Sequence, residues 1–365
     1  MTSSAPREAS ALARLTFEEL GRAAGGIGGM HRAIADRAFG PTASAGHPVK
    51  LIHDAIAGGV YSALRGGARL SGIAADAALS GSQAAELSTR PRGAAVIAAI
   101  NGIIGDVLER DGNDLAIEMS IRVAGRAVAP EPEALRRAFP NANGRVVVFL
   151  HGLMETERAW RLGGRQTYGE LLTRDIGAST VEVRYNTGRS IAANGRSLAD
   201  LLTALDAAWP ARIHELALVG HSMGGLVGRS ACHHGVEDGA PWVRKLRHVV
   251  SLGTPYAGAP LEQAVESAAR TLERVPETRM FSSFLRRRSE GIRDLRRGLD
   301  QPEIEGPLHA YVSAEVGPLV GDGLVLRASA CPADAEHTLH LDGVGHISLL
   351  NHPEVYAQMR DWLDL

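Results

Sequence analysis

The sequence ELALVGHSMGGLVGR, residues 215–229, decides the fold class of this chain. Its first five residues are mostly apolar, as in a buried strand, and the residues from Leu226 onward have the composition of a helix. Ser222 lies between them and is flanked by Gly220 and Gly224, which have no side chains to block a tight turn. The stretch therefore predicts a strand that passes directly into a helix, with a serine exposed at the turn.

Other strands are predicted on both sides of this stretch. Apolar runs without alternation occur at residues 146–150, 180–185, 215–219, 248–252, 310–313 and 338–341. Helix-length segments such as residues 197–209 separate several of these runs. Because continuous apolar strands joined by helical crossovers are typical of parallel sheets, we expect an α/β fold with a mostly parallel sheet and helices on both faces.

A serine at such a turn needs two further groups to act as a nucleophile. An imidazole must take the proton of its hydroxyl, and a carboxylate must hold the tautomer and charge of that imidazole. In this kind of sheet the acid and then the histidine follow the serine along the chain, each after a strand. Asp322, between two glycines, is the predicted acid, and His346, after the last strand, is the predicted general base.

Alternatives stay open for both groups. Glu315 and Asp342 are substitutes for the acid, although Asp342 is close in sequence to the predicted base. His352 is the nearest rival to His346, but its place before Pro353 favours a helix N-cap. The chain has 42 glycines and 14 histidines, so an ordinary Asp-Gly turn and a surface histidine are the non-catalytic interpretations.

Two backbone N–H groups are candidates for binding an oxyanion beside Ser222. Met223 opens a helix, so its N–H and the helix dipole face the place where negative charge develops. The loop His151-Gly152-Leu153 follows the strand over residues 146–150 and offers Leu153 N–H as a second donor. A simple strand-ending turn with a structural His151 is the alternative interpretation of this loop.

Composition limits the classes of partner. The formal net charge is −2, from 39 basic and 41 acidic residues, so no field attracts a polyanion and no nucleic acid is expected. No cluster has metal-ligand spacing, and no cofactor is predicted. Two cysteines and an N-terminus without a signal-peptide pattern favour a cytoplasmic protein, with membrane association as the open alternative.

The chain is predicted to contain two regions. Residues 1–112 are rich in Ala and Gly and form an N-terminal helical region, in which residues 93–108 are too short for a membrane span and predict a buried or interfacial helix. Residues 113–365 form the catalytic domain, which begins with a β-hairpin over residues 115–128. Residues 256–307 are too long for a plain loop and are predicted to form a helical lid.

Five motifs carry a resemblance to a known family: FLHGL at 149–153, GHSMGG at 220–225, LGTPYAGAPL at 252–261, GDGLV at 321–325 and GHISLLNHP at 345–353. Over roughly residues 145–365 the chain resembles α/β-hydrolase lipases and esterases, especially bacterial triacylglycerol lipase-like proteins and the related lipase-like domain of GPI inositol-deacylases. The resemblance implies a triad of Ser222, Asp322 and His346, with Leu153 and Met223 as the oxyanion donors.

The sequence therefore predicts a serine hydrolase that cleaves carboxylic esters, from small molecules or lipids, through an acyl-enzyme on Ser222. An acyltransferase or thioesterase with the same triad stays open, because the acyl-enzyme does not dictate which acceptor resolves it. A non-catalytic membrane-binding or scaffold module also stays open. The N-terminal helices are expected to make peripheral membrane contact or to mediate self-association.

Overall fold

The computed structural model describes residues 87–259, 289–317 and 321–364, which surround an eight-stranded sheet. The strands are β1 (Ser120–Val123), β2 (Arg126–Val128), β3 (Arg145–Leu150), β4 (Ser179–Arg184), β5 (Glu215–His221), β6 (Leu246–Leu252), β7 (Leu308–Glu315) and β8 (His337–Asp342). Their spatial order is β2-β1-β4-β3-β5-β6-β7-β8. Strands β3 to β8 pair in parallel, and β1 joins β4 antiparallel. The predicted α/β class is confirmed.

Helices cover both faces of this sheet. The α-helices of the described part are α1 (Pro91–Arg110), α2 (Pro132–Ala138), α3 (Tyr168–Ile176), α4 (Ile191–Ala208), α5 (Met223–Glu237), α6 (Glu290–Arg297), α7 (Arg327–Ala330) and α8 (Pro353–Leu363). Short 3-10 helices cover Leu87–Thr89, Glu157–Arg161, Pro241–Lys245 and His346–Asn351. Alternate residues of β3 enter two separate cores, one beneath α4 and α5 and the other beneath α3 and α8. Because both faces are buried, the strand sequences show no apolar-polar alternation.

The predicted hairpin is present but shorter than expected. The sequence predicts a strand from residue 115, whereas β1 begins at Ser120. The amide of Asn101, on α1, donates to the Leu115 carbonyl at 2.7 Å and accepts from the Ile117 N–H at 3.0 Å. Since this side chain already satisfies the backbone of residues 115–117, the segment does not extend the β ladder.

Helix α1 packs on the sheet domain. Of the helices in the described ranges, it is the one long and apolar enough to span a membrane by length and composition, yet half of it is buried in the protein. Gly102 and Gly105 make the contact, and a β-carbon there would overlap the Met154 side chain or the Asn186 amide. The segment predicted to form a buried or interfacial helix is helical, and its buried half packs on the sheet domain. Residues 1–86, the rest of the predicted N-terminal region, lie outside the described residues.

The predicted lid is described only at its two ends. Residues 260–288 lie outside the described part of the chain, and the C-terminal end contains helix α6. The Ser289 hydroxyl donates to the Gly102 carbonyl at 2.6 Å, and the Glu290 N–H donates to the Asp106 carboxylate at 3.1 Å. These bonds attach α6 to α1. The domain boundary at residue 112 and the lid stay predictions.

Glu182, on β4, has a largely buried carboxyl group, and burial disfavours its charged form. Its side chain is 19% exposed and lies 3.7 Å from the guanidinium of Arg161. Burial raises its pKa from 4.5 to about 7; Arg161 opposes this rise, while the nearby Glu157 and Glu170 add to it. Ionisation of Glu182 therefore works against folding near neutral pH.

We predict that Glu182→Gln flattens the dependence of stability on pH. Between a pKa of 4.5 in the unfolded chain and about 7 in the fold, the folded state binds more protons, so stability falls as pH rises through this window. The neutral amide removes this loss and raises the unfolding temperature at alkaline pH by about 2–4 °C. Thermal unfolding followed by circular dichroism from acid to alkaline pH measures the effect. Glu336→Gln, at an exposed carboxylate that does not contribute to the Glu182 shift, is the control. An unchanged slope in the Glu182 variant would contradict the prediction.

Candidate active site

Ser222 occupies the turn between β5 and α5 in a strained conformation. Its φ of 53° and ψ of −120° lie in a region that residues with side chains rarely adopt. Its N–H donates to the carbonyl of Leu252, at the end of β6, with a distance of 2.8 Å. The hydrogen bond fixes the turn to the neighbouring strand, so Ser222 is held at the carboxyl edge of the sheet.

The glycines around Ser222 are required by close packing. A β-carbon at Gly220 would overlap the backbone of Gly225, and one at Gly224 would overlap the carbonyl oxygens of Leu150 and His151. The turn after β5 therefore lies directly against the loop after β3. The sequence predicts this turn from the same glycines, and the contacts give the physical reason.

Asp322 and His346 form a buried hydrogen-bonded pair. His346 Nδ1 lies 2.6 Å from Asp322 Oδ2, and both side chains are at most 4% exposed. The other oxygen, Oδ1, accepts from the N–H groups of Leu324 and Val325 at 2.9 and 2.8 Å. Because a carboxylate can only accept, Nδ1 carries a proton, and in the neutral ring Nε2 is left with a free lone pair.

The His346 ring lies near the Ser222 turn. A β-carbon on Gly253, directly after β6, would be 3.1 Å from ring atoms Cε1 and Nδ1 of His346. Gly253 follows Leu252, whose carbonyl accepts from Ser222 N–H. Among the described residues no hydrogen bond joins Ser222 Oγ to the ring; such bonds are often long without substrate. The three predicted residues thus share one edge of the sheet, and their catalytic roles stay predictions.

The alternative acids have other environments. The Asp342 side chain is 92% exposed, and its carboxylate lies 3.2 Å from Nε2 of His340. The other ring nitrogen of His340, Nδ1, lies 2.9 Å from Ser313 Oγ. This second Ser-His-Asp arrangement lacks a sharp turn, because Ser313 lies inside β7 and is 2% exposed. Glu315 is the last residue of β7. In the described ranges, Asp322 is the carboxylate that contacts the His346 ring.

His352, the alternative base, caps a helix. Its Nδ1 accepts from the Glu354 N–H at 3.3 Å, at the start of α8. The predicted N-cap role is confirmed. His151 is also structural: its ring is fully buried, stacks on Tyr185 with centroids 4.5 Å apart, and has its pKa lowered by burial.

The loop after β3 presents Leu153 between two restrained amides. The N–H of Gly152 donates to Glu155 Oε2 at 2.7 Å, and the N–H of Met154 donates to Thr187 Oγ1 at 3.1 Å. Within the described ranges, the N–H groups of Leu153 and Met223 have no protein acceptor. Both predicted oxyanion donors are therefore available to a ligand atom, and this role stays a prediction.

Sequence reasoning missed two residues at this site, the partly buried Glu155 and the fully buried His221. His221 Nδ1 lies 3.2 Å from Glu155 Oε2, and its Nε2 lies 3.3 Å from the carbonyl oxygen of His346. The one sequence feature that could have indicated His221 is its position directly before Ser222. No local pattern shows that Glu155 reaches His221.

A comparison with known families agrees with this geometry. The model of the PGAP1-like alpha/beta domain family matches residues 141–295, from just before β3 into α6. Together with the parallel sheet and the Ser222 turn, the match shows that the chain has the fold of a lipase-like α/β-hydrolase. The resemblance implied by the motifs is confirmed at this level. No curated protein sequence matches the chain.

Several solved structures are similar to part of the chain. Mature lipase BlEst2 of Bacillus licheniformis is 17% identical over 60% of this chain and 92% of that one, with a TM-score of 0.44. The RedJ thioesterase of Streptomyces coelicolor is 19% identical over 61% and 92%, with a TM-score of 0.41. A Pyrobaculum calidifontis esterase is 14% identical over 61% and 76%, with a TM-score of 0.41. These likenesses carry no information about the substrate of this chain.

We predict that Gly224→Ala disrupts the turn. Its β-carbon would overlap the backbone of Leu150 and His151, which cannot move without breaking the parallel sheet. The unfolding temperature should fall by about 5 °C or more, or soluble protein should be lost. Gly228→Ala, in the same helix, is the matched control, because its β-carbon would meet only the flexible Leu150 and Leu218 side chains, at 3.3 and 3.9 Å. Equal stability of the two variants would refute the packing argument.

Proposed function

We propose that this chain is a serine hydrolase that cleaves carboxylic esters, including acyl esters of lipids, through an acyl-enzyme on Ser222. The observation that carries the proposal is the buried Asp322–His346 pair beside the strained turn of Ser222. A bare imidazole nitrogen, a hydroxyl at a turn and free backbone donors at one sheet edge are the groups that acyl transfer needs.

Each residue has one role in the proposed reaction. Ser222 Oγ attacks the ester carbonyl while His346 Nε2 takes its proton, and the N–H groups of Leu153 and Met223 donate to the oxyanion. The imidazolium then gives its proton to the leaving alcohol, and the acyl group stays on Ser222. Asp322 holds Nδ1–H in place and stabilises the ring while it is charged. Water, activated by His346, then releases the acid and regenerates the serine.

We predict that Ser222→Ala abolishes ester hydrolysis and labelling by a fluorophosphonate. The measurement uses p-nitrophenyl esters of increasing acyl length, which also shows the preferred chain length. Ser313→Ala is the matched control, because Ser313 also contacts a histidine but lies inside a strand. Two other outcomes are possible for a protein that labels but hydrolyses no oxygen ester. Transfer of the acyl group to an added alcohol would identify an acyltransferase, and cleavage of thioesters would identify a thioesterase. Unlabelled, folded wild-type protein would argue against any acyl-enzyme.

We also predict that Asp322→Asn lowers kcat by about 10³- to 10⁴-fold while the fold is retained. The amide NH₂ that replaces a carboxylate oxygen favours the tautomer with a bare Nδ1 and a protonated Nε2, which cannot accept the serine proton. Asp342→Asn, at the exposed rival carboxylate, should leave kcat within about twofold of wild type. Steady-state kinetics on one short ester, with circular dichroism as the folding control, measures both. A similar loss in the two variants would reject the assignment of Asp322.

A further inference from the structure

A buried network links the two sides of the candidate site. Glu155 Oε2 faces two donors, the N–H of Gly152 at 2.7 Å and Nδ1 of His221 at 3.2 Å. His221 continues the network through Nε2, which lies 3.3 Å from the carbonyl oxygen of His346. One end of the network thus holds the residue before Leu153, and the other end holds the backbone of His346.

The hydrogen-bonding partners determine the charge of His221. A carboxylate oxygen and a carbonyl oxygen can only accept, so both ring nitrogens of His221 must donate. This arrangement of acceptors favours the imidazolium form of the ring, with Glu155 as its counterion. Burial of the fully enclosed ring opposes this charge, but the Glu155 carboxylate, the His346 carbonyl and Asp322 together raise the pKa of His221. In the same way His221 holds the pKa of Glu155 below its usual value against the effect of burial.

The surroundings of the His221 ring separate it from solvent, while the Glu155 side chain is 16% exposed. The groups that face the ring are Glu155, the His346 ring with centroids 4.7 Å apart, and the Trp160 indole at 6.4 Å. The negative charge of Asp322, beyond His346, also favours the charged form of His221. Charge-assisted hydrogen bonds of this kind are strong and directional, and loss of Glu155 leaves the enclosed ring without its counterion.

A fully buried ion pair close in sequence, Glu157–Arg184, shows what a purely structural pair looks like. Glu157 binds the Arg184 guanidinium through two hydrogen bonds of 2.6 Å, and both side chains are 2% exposed. Arg184 also donates to the Ser88 carbonyl at 2.7 Å. This pair joins β4 to neighbouring segments and touches none of the candidate site residues, whereas the Glu155–His221 pair touches two loops of the site.

We infer that Glu155 and His221 are positioning residues for the proposed reaction: as an ion pair they hold the Leu153 loop and the His346 loop in fixed relation around Ser222. The inference rests on the proposed function. The oxyanion donor and the general base lie on loops that follow different strands, and a displacement of about 1 Å between such groups lowers a rate by up to about 100-fold. The pair acts through backbone atoms at both ends and does not touch the substrate.

The kinetic test compares Glu155→Gln, His221→Gln and the double variant. Each single change should lower kcat for a short ester by about 10- to 100-fold and leave KM within about threefold, because alignment is lost while the substrate surface remains. The double variant should be no slower than the slower single variant, since the two side chains act as one unit. Multiplicative losses, or wild-type kcat in Glu155→Gln, would overturn the inference.

Glu157→Gln is the matched control for stability. It breaks the neighbouring buried ion pair, so it should lower the unfolding temperature as much as Glu155→Gln or more, with kcat within about twofold of wild type. Equal falls in kcat for the two variants would mean that Glu155 acts only through stability.

A spectroscopic measurement decides the geometry independently of turnover. In ¹⁵N-histidine-labelled wild type, His221 should show two protonated ring nitrogens at neutral pH, and Glu155→Gln should convert it to a neutral ring. The Nδ1–H signal of His346 should then exchange faster with water, because its loop is less restrained. The His221→Gln spectrum assigns the signals. If wild type neither labels at Ser222 nor cleaves esters, the proposed function fails, and a neutral His221 in wild type would separately refute the positioning pair.

Discussion

The contact between the Ser222 turn and the end of β3 is the constraint on which the candidate site depends. Gly224 lies so close to the Leu150 carbonyl that no side chain fits between them. Because α5 must begin at this point, Ser222 takes a positive φ, and its hydroxyl is placed at the sheet edge. The same contact brings the loop with Leu153 beside the first turn of α5. Backbone packing thus places the proposed nucleophile beside the two amides that are proposed to bind the oxyanion.

The sheet was predictable because its strands are buried on both faces. Six apolar runs in the sequence match β3 to β8 to within two residues at each end. In β3, alternate residues enter two different cores, so every position needs an apolar side chain and the signal is continuous. The start of β1 was not predictable, because Asn101 binds Leu115 and Ile117 from 14 and 16 residues away. Apolar and polar residues do alternate in that segment, but the Asn101 side chain of α1 takes the backbone hydrogen bonds that a neighbouring strand would otherwise make.

The candidate site was also predictable only where local sequence patterns determine it. Ser222, Asp322 and His346 each follow a strand, within turns that contain glycine, so local patterns show them. Glu155 and His221 escape this reasoning because their hydrogen bonds join residues 66 and 125 positions apart. A single histidine beside the candidate serine has no sequence feature that reveals a partly buried carboxylate on one side and a carbonyl on the other.

Helices outside the sheet complete the surroundings of the proposed oxyanion donors, the N–H groups of Leu153 and Met223. On one side, Gly102 of α1 allows contact with the Met154 side chain, next to Leu153. On the other side, a β-carbon at Gly291 of α6 would overlap the Thr187 carbonyl and lie 2.9 Å from the Met223 methyl group. Two hydrogen bonds, from the Ser289 hydroxyl to the Gly102 carbonyl and from the Glu290 N–H to the Asp106 carboxylate, join α6 to α1. A segment that precedes the sheet in the sequence thus belongs physically to the candidate site.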